Sequence, residues 1–334
     1  MRSILAGDIG GTKTVLGLYE ETDAGLTLRC EGVFASADYT SLETIIERFL
    51  RDSATSDGGA VQVDSACLGV AGAVIDGAAD LTNLSWRVSE EKLSSHHQIP
   101  HVKLQNDLEA CAYGMLELEA HELDVLQAGE HAGRRGNIAV IAAGTGLGQA
   151  MLIWDGEKHV AIATEGGHGG FAPRDDEEIG LLQFLQREFG SHVSYERVLS
   201  GPGLYNLYRY LREVSGVVEP VWLYERLQNE DPSGVISEVG NDGLDPVCTR
   251  AAQRFASIYG SEAGNMALRC MALGGVMIGG GIAPKMLPVL KNGSFLESFT
   301  NKGRFSEVLR GIEVSVALDP RTPLRGAAEV ARRL

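Results

Sequence analysis

At 334 residues the chain exceeds the size at which one hydrophobic core usually keeps growing, so two domains, or two lobes around a cleft, are expected. Hydrophobic residues make up 44% and charged residues 22%, ordinary for a soluble globular protein, and the net charge of −16 argues against holding nucleic acid or an anionic membrane by bulk electrostatics. The one excess is glycine, at 42 residues, about 13% of the chain against roughly 7% on average.

GDIGGTKT at 7–14 lies between the apolar runs Ser3–Ala6 and Val15–Tyr19 and reads as a strand, a tight glycine turn and a returning strand. Such a hairpin offers backbone N–H groups. Gly10 and Gly11 are expected to allow φ > 0 and close approach of an anion, Thr12 adds a hydroxyl, and Asp8 stands where it can hold a hydrated cation. A plain hairpin with two turn glycines fits the same residues. A strand near Thr27–Phe34 follows, then a helix at Ser41–Arg51 whose Leu42, Ile45, Ile46, Phe49 and Leu50 form one stripe under a Ser41 cap, then a strand at Asp64–Val70. The strand His101–Gln105 runs into Asn106-Asp107, which open an amphipathic helix marked by Leu108, Cys111, Ala112, Met115 and Leu116. Ala120–Arg135 reads as a polar excursion. A second strand pair, Asn137–Ala142 and Gln149–Trp154, is joined by GTGLG at 144–148, so the strand, glycine turn, strand unit occurs twice and predicts two topologically similar α/β lobes. Beyond it, Asp175–Phe189 reads as a helix and Asn229–Asp245, with its Asp-Pro, Ser-Gly and Asn-Asp-Gly, as a flexible surface loop. Pro246–Ala272 is helical again and leads into GGVMIGGGIAPKM at 274–286, a strand, a triple glycine and a helix starting at Pro284.

Asn and Asp are preferred helix caps, and a carboxylate at a strand end beside a phosphate loop is also where a general base belongs, so Asn106-Asp107 serves both readings. In ATEGGHGGF, Glu165 and His168 stand among four glycines, off any helix or strand face. No cysteine cluster or further histidine completes a metal shell there, so hydrogen bonding to a polyhydroxyl substrate is the more economical use. Glu196, in SYERVLSGPGLYNLY, is either a third acceptor or a surface or capping acid. GGGIAP at 279–284 suits an adenine or ribose resting on backbone, and Lys13 either reaches a phosphate or is solvated; no Walker loop is present. The five cysteines, Cys30, Cys67, Cys111, Cys248 and Cys270, stand singly and read as buried thiols in a reducing cytoplasm. No charged-then-apolar leader precedes Asp8, and no window approaches the ~18 uncharged apolar residues of a membrane span.

In this order GDIGGTKT, LTNLSW at 81–86, QNDLEACAYG, AAGTGLGQA, TEGGHGGFAP, ERVLSGPGLYNLY, GGVMIGGGIAPKM and the terminal TPLRGAA cover nearly the whole chain. Together they resemble the bacterial hexokinase-type glucokinases without the ROK signature, within the sugar kinase, actin and heat-shock ATPase superfamily. The resemblance implies a two-lobed α/β fold, actin-like and ribonuclease-H-like, with a central cleft, a small lobe from 1–108 plus 318–334 and a large lobe from 109–317. It implies ATP-dependent phosphorylation of D-glucose at the 6-hydroxyl, with Asp107 as catalytic base and Asn106, Asp107, Glu165, His168 and Glu196 on the sugar. The hairpin residues Gly7, Asp8, Ile9, Gly10, Gly11 and Thr12 and the turn residues Gly144, Thr145 and Gly146 would flank the phosphates of ATP. Gly279, Gly280 and Gly281 would lie near the adenosine, and Asp8 would hold Mg²⁺ through water. The CxCGxxGC zinc site of ROK kinases does not follow the histidine motif. The segments 175–178 and 229–245 match nothing functional, and a homodimer interface is one use for them. Rival readings are a kinase of the same fold acting on another hexose or using polyphosphate, a sugar-responsive regulator, and an actin-like or chaperone ATPase. The first strand begins at about Ser3, which leaves no room for the regulator's helix-turn-helix, and a sugar-contact set has no purpose in an actin-like ATPase.

Overall fold

The computed structural model describes residues 2–23, 25–54, 61–81, 84–130 and 135–334, so Thr82 and Asn83 of the LTNLSW motif lie outside the described residues. The chain divides into two compact units, Met1–Glu119 with Asp319–Leu334, and Ala120–Leu318.

In the first unit β1 (Arg2–Ile9), β2 (Lys13–Thr22) and β3 (Gly25–Ala35) form an antiparallel meander, followed by α1 (Leu42–Asp52) and β4 (Ser65–Val70). A two-stranded flap, β5 (Ala78–Asp80) and β6 (Arg87–Ser89), then α2 (Glu90–His97), β7 (His101–Asn106) and α3 (Asp107–Met115) complete it. The sheet order is β3-β2-β1-β4-β7, with β1, β4 and β7 parallel. Side chains alternate across the sheet as a two-residue period requires. Leu5, Ile9, Leu16 and Leu68 pack with the α1 stripe Leu42, Ile45, Ile46 and Phe49. Ile4, Ala6 and Cys67 face the other way, toward Ala110 of α3 and Leu324, Ala327, Ala328 and Ala331 of the C-terminal helix Thr322–Arg332. These two helices touch backbone to backbone: a Cβ on Gly114 would lie 1.8 Å from the Thr322 carbonyl oxygen. A residue larger than glycine there would lift α3 off its partner.

The second unit runs through β8 (Leu123–Gln127), β9 (Ile138–Ala143), β10 (Leu147–Trp154) and β11 (His159–Thr164) to the helices α4 (Asp176–Phe189), α5 (Gly201–Ser215), α6 (Val221–Asn229), α7 (Pro232–Asn241) and α8 (Pro246–Cys270). After β12 (Gly275–Gly279) come the short helices α9 (Leu287–Leu290), α10 (Ser294–Thr300) and α11 (Ser306–Arg310), then β13 (Val314–Ala317). The order β11-β10-β9-β12-β13-β8 repeats the first sheet's pattern, an antiparallel meander β9-β10-β11 continued by parallel β12 and β13. The duplication suggested by the two glycine turns is therefore present in the topology. The core is dominated by α8, whose Ala251, Phe255, Tyr259 and Met266 are fully buried.

Two readings of this region are corrected. The stretch 229–245 is mainly the helix α7 and not a surface loop. Its apparent turn residues have helical jobs: Asp231 accepts a hydrogen bond from the Gly234 N–H at 3.0 Å, Pro232 takes a first-turn position that needs no donor, and a Cβ on Gly240 would lie 2.7 Å from the Cys248 carbonyl oxygen. The polar excursion 120–135 contains the edge strand β8, antiparallel to β13. The acidic segment at the start of α4 is neutralised within the unit, Asp175 and Glu177 by Arg254, Glu177 also by Arg250, and the fully buried Glu178 by Arg174 and Arg254. Among the described residues no helix is long and apolar enough to cross a membrane.

Candidate functional site

In open α/β sheets, ligands gather at the carboxyl ends of parallel strands. In the first unit those ends carry the hairpin turn, Gly69 and Asn106-Asp107. Asp8 pairs across the sheet with Gly69, and Gly69 with Gln105, so Gly69 separates the strand bearing Asp8 from the strand that leads into Asp107. A Cβ on Gly69 would stand 3.1 Å from Ala110 Cβ and 3.4 Å from Asp107 Cα, which shows the first turn of α3 lying directly on β4. By the alternation of β1, Asp8 shares the face of Ile4 and Ala6, the face that α3 covers. Both carboxylates act on one thiol: burial, then Asp8, then Asp107 push Cys111 up to about 12. Burial also raises the Asp8 carboxyl above its usual range, with Lys13 opposing.

Asn106 is the buried cap of α3. Its Oδ1 accepts from the Leu108 N–H at 2.9 Å and its Nδ2 donates to the Gly72 carbonyl at 3.2 Å, while Asp107 Oδ1 accepts from the same Leu108 N–H at 2.8 Å. The hairpin turn Gly10–Thr12 is fixed from beneath by Ser36, whose N–H donates to the Thr12 carbonyl at 3.1 Å and whose hydroxyl donates to the Gly10 carbonyl at 2.9 Å. With the carbonyls held, the N–H groups of Gly11 and Thr12 find no acceptor among the described residues. The expectation of φ > 0 at Gly10 and Gly11 is not met: neither lies in the left-handed region. The Gly10 N–H instead closes on the Lys13 carbonyl at 3.0 Å, and a Cβ on Gly10 would lie 3.1 Å from that same oxygen, so the glycine there supplies bare backbone and not an unusual dihedral. Gly7 and Ile9 sit within β1, where Gly7 makes room for Leu68.

In the second unit the turn between β9 and β10 is Gly144–Gly146, since Leu147 and Gly148 already belong to β10. The Gly144 N–H donates to the Gly146 carbonyl at 2.8 Å, and the Gly201 N–H at the start of α5 donates to the Gly144 carbonyl at 2.8 Å. Tyr259 of α8 holds the end of β9, accepting from the Ala143 N–H and donating to the Ile141 carbonyl, both at 3.2 Å. Gly280, unlike the hairpin glycines, needs to be glycine twice over: its φ is +82°, and a Cβ would lie 2.2 Å from the Ala143 carbonyl oxygen. The turns 144–146 and 279–281 and the start of α5 thus meet at the end of β9. Thr145 and Gly146 have N–H groups with no acceptor among the described residues.

Glu165 precedes the 3₁₀ turn Gly166–His168 and His168 ends it, both exposed, with His168 Nε2 3.9 Å from Glu165 Oε2. The Tyr195 N–H donates to the Gly169 carbonyl at 2.9 Å, which brings Glu196 beside this turn. Glu196 does more than join the acid and the histidine. Its Oε2 accepts from the Leu147 N–H at 3.0 Å and lies 2.5 Å from where a Gly146 Cβ would be. Glu196 therefore ties the turn carrying Glu165 and His168 to the glycine turn at 144–146. Sequence reading also passed over Ser36, Tyr259, Gln149 and Glu262. The last carries a readable signal, since positions 255, 259, 262 and 266 fall on one helical stripe and only Glu262 on it is charged. Among the described residues no group of three His, Cys, Asp or Glu side chains is arranged to hold a metal ion.

The sequence model of the family described as Glucokinase matches residues 5–334. The chain belongs to the glucokinase family. It is 39% identical to the glucokinase of Trichormus variabilis over 348 aligned positions, with 100% of each chain covered. It is similar to the crystal structure of a glucokinase from an Antarctic psychrotroph at 32% identity and a TM-score of 0.83, again with 100% of each chain covered. In fold it is similar to the glucokinase of Balamuthia mandrillaris in complex with glucose, at 22% identity and a TM-score of 0.83 over 99% of this chain and 94% of that one. The actin-like ATPase fold implied by the family resemblance is thus the fold of this family member.

Proposed function

We propose that the chain transfers the γ-phosphoryl group of ATP to the 6-hydroxyl of D-glucose, with Asp107 as the general base. The observation that carries this reading is that Asp8 and Asp107 stand at the carboxyl ends of the parallel strands β1 and β7, on either side of β4, with the Gly11 and Thr12 N–H groups of the hairpin turn available to an anion. Phosphate donors and a proton acceptor are what phosphoryl transfer to an alcohol requires. The sugar is assigned to Asn106, Asp107, Glu165, His168 and Glu196, and the nucleotide to Gly7–Thr12, Gly144–Gly146 and Gly279–Gly281. Family membership and the glucose held by the Balamuthia enzyme support the choice of substrate.

As the sugar O6 forms its bond to the γ-phosphorus, the bond to the β,γ-bridging oxygen breaks, ADP leaves with that electron pair, and the hydroxyl proton passes to the Asp107 carboxylate. Because the transition state is loose, the proton can move late, and an ordinary carboxylate suffices. Backbone N–H groups of the glycine turns stabilise charge on the phosphoryl oxygens. Mg²⁺ is usually held by one or two carboxylates plus waters and substrate phosphates, and Asp8, at the end of β1 before the hairpin turn, is the carboxylate that would hold it through water. When bound, the ion neutralises phosphate charge. ATP as donor and free cysteines, four of them buried, suit a reducing cytoplasm.

A coupled assay of ADP release over a panel of hexoses, with ATP and polyphosphate as donors, tests the proposal. Glucose with ATP is expected to give the highest kcat/KM. Turnover only with another hexose, or only with polyphosphate, would reassign the substrate, and sugar binding without turnover would leave a regulator.

A further inference from the structure

We infer that Glu262, acting through Gln149, sets the affinity for glucose by fixing the turn that presents Glu165 and His168; this rests on the assignment of those two residues to the sugar. Glu262 is a fully buried carboxylate midway along α8. A bare charge there would be strongly disfavoured, and three donors hold it: Gln149 Nε2 at 3.0 Å and Arg269 Nη1 at 2.8 Å on Oε1, and Asn265 Nδ2 at 2.9 Å on Oε2. An amide can turn either end toward a neighbour. With Nε2 committed to Glu262, Gln149 turns Oε1 toward Gly166, where a Cβ would be only 2.2 Å away.

The rest of the turn is registered on the same strand. Thr164 Oγ1 donates to the Gln149 carbonyl at 3.0 Å and accepts from the Gly166 N–H at 3.2 Å, and a Cβ on Gly167 would lie 2.0 Å from the Leu147 carbonyl oxygen. Gly166–His168 therefore lies flat on residues 147–149 of β10. Glu165 and His168 are exposed at its two ends and, at 3.9 Å, share no hydrogen bond. Their placement follows from the turn, the turn's from Gln149, and the orientation of the Gln149 amide from Glu262. Glu262 touches no reacting atom, so it is a positioning residue.

The test is a set of glucose and ATP titrations on folded variants, each with kcat at saturating glucose. Gln149→Leu keeps the volume, removes the amide and leaves Glu262 its Arg269 and Asn265 partners. It should raise the glucose Kd about tenfold, the scale of one lost buried hydrogen bond, with the ATP Kd within about twofold and kcat within about threefold. Glu262→Leu, which leaves Gln149 Nε2 without its acceptor, should show the same split. A folded Gln149→Leu protein that binds glucose within twofold of wild type overturns the inference. So does equal weakening of glucose and ATP, the mark of general loosening. Glu165→Gln, titrated alongside, separates this from its premise: unchanged glucose affinity there defeats the sugar assignment itself, whereas weakened affinity there with unchanged Gln149→Leu defeats only the role of Glu262.

Discussion

Gly69→Ala is a one-carbon change that should move the proposed base without touching it. The new Cβ would meet Ala110 Cβ at 3.1 Å, tighter than ordinary van der Waals contact, with Asp107 Cα behind it at 3.4 Å and the Gly7 carbonyl oxygen at 3.6 Å. The strand is held by pairing on both sides, β1 through Asp8 and β7 through Gln105, so the first turn of α3 has to give by a few tenths of an ångström. Overpacking of this size costs about 1–3 kcal/mol of stability. If a 1 Å misplacement costs about 100-fold in rate, a third to a half of that distance costs about five- to tenfold in kcat. Steady-state kinetics should show that fall with the glucose and ATP KM values within about threefold, since no sugar or phosphate donor is displaced. Adding Ala110→Gly removes the closest atom and should restore most of kcat, at the cost of about 1 kcal/mol for a glycine inside a helix. A folded Gly69→Ala enzyme with wild-type kcat, or a double variant no faster than the single, would refute the claim that the seat of α3 on β4 positions the base.

Gly280→Ala combines a left-handed φ of +82° with a Cβ 2.2 Å from the Ala143 carbonyl oxygen, so it should cost at least about 2 kcal/mol in urea unfolding and weaken ATP more than glucose. A variant of wild-type stability would contradict the packing described. Gly146→Val should weaken both ligands and not ATP alone, because its side chain would displace the Glu196 carboxylate as well as fill the turn; loss of ATP with unchanged glucose affinity would return Glu196 to the sugar set only. Burial, with Arg174 and Arg269 adding repulsion and Glu262 opposing it, lowers Lys302 from 10.5 to about 8. Between those values the unfolded chain keeps a proton that the folded chain has lost, so this site's contribution to stability rises with pH by at most about 1.4 kcal/mol per unit. The stability of wild type minus that of Lys302→Met should therefore climb from pH 8 to 10, and a flat or falling difference would contradict the burial argument.

What the sequence disclosed was whatever local pattern dictates. The α1 stripe from Leu42 to Phe49 and the two glycine turns between apolar runs follow from periodicity and bare backbone, and they led to the duplicated sheet topology. The helix α7 was hidden because an N-cap aspartate, a first-turn proline and a helix-packing glycine spell the same dipeptides as a loop; only the partner Cys248, eight positions beyond Gly240, tells them apart. Gly10 and Gly280 look alike in sequence, yet only Gly280 has a left-handed φ, and the atom that would meet its Cβ belongs to Ala143, far away in the chain. The link from Glu196 to Leu147 and the chain from Glu262 through Gln149 to Gly166 are tertiary hydrogen bonds, which no local pattern records.

The most direct test of the central claim is kcat for Asp107→Asn with ATP and glucose. Asparagine keeps a side-chain oxygen for the Leu108 N–H, so the start of α3 is preserved while the proton acceptor is lost. The account predicts a fall in kcat of about 10²–10⁴, the range for a positioned general base, with glucose affinity changed by less than about threefold in titrations without nucleotide. A folded Asp107→Asn protein that phosphorylates glucose at near wild-type kcat would show that Asp107 only caps a helix.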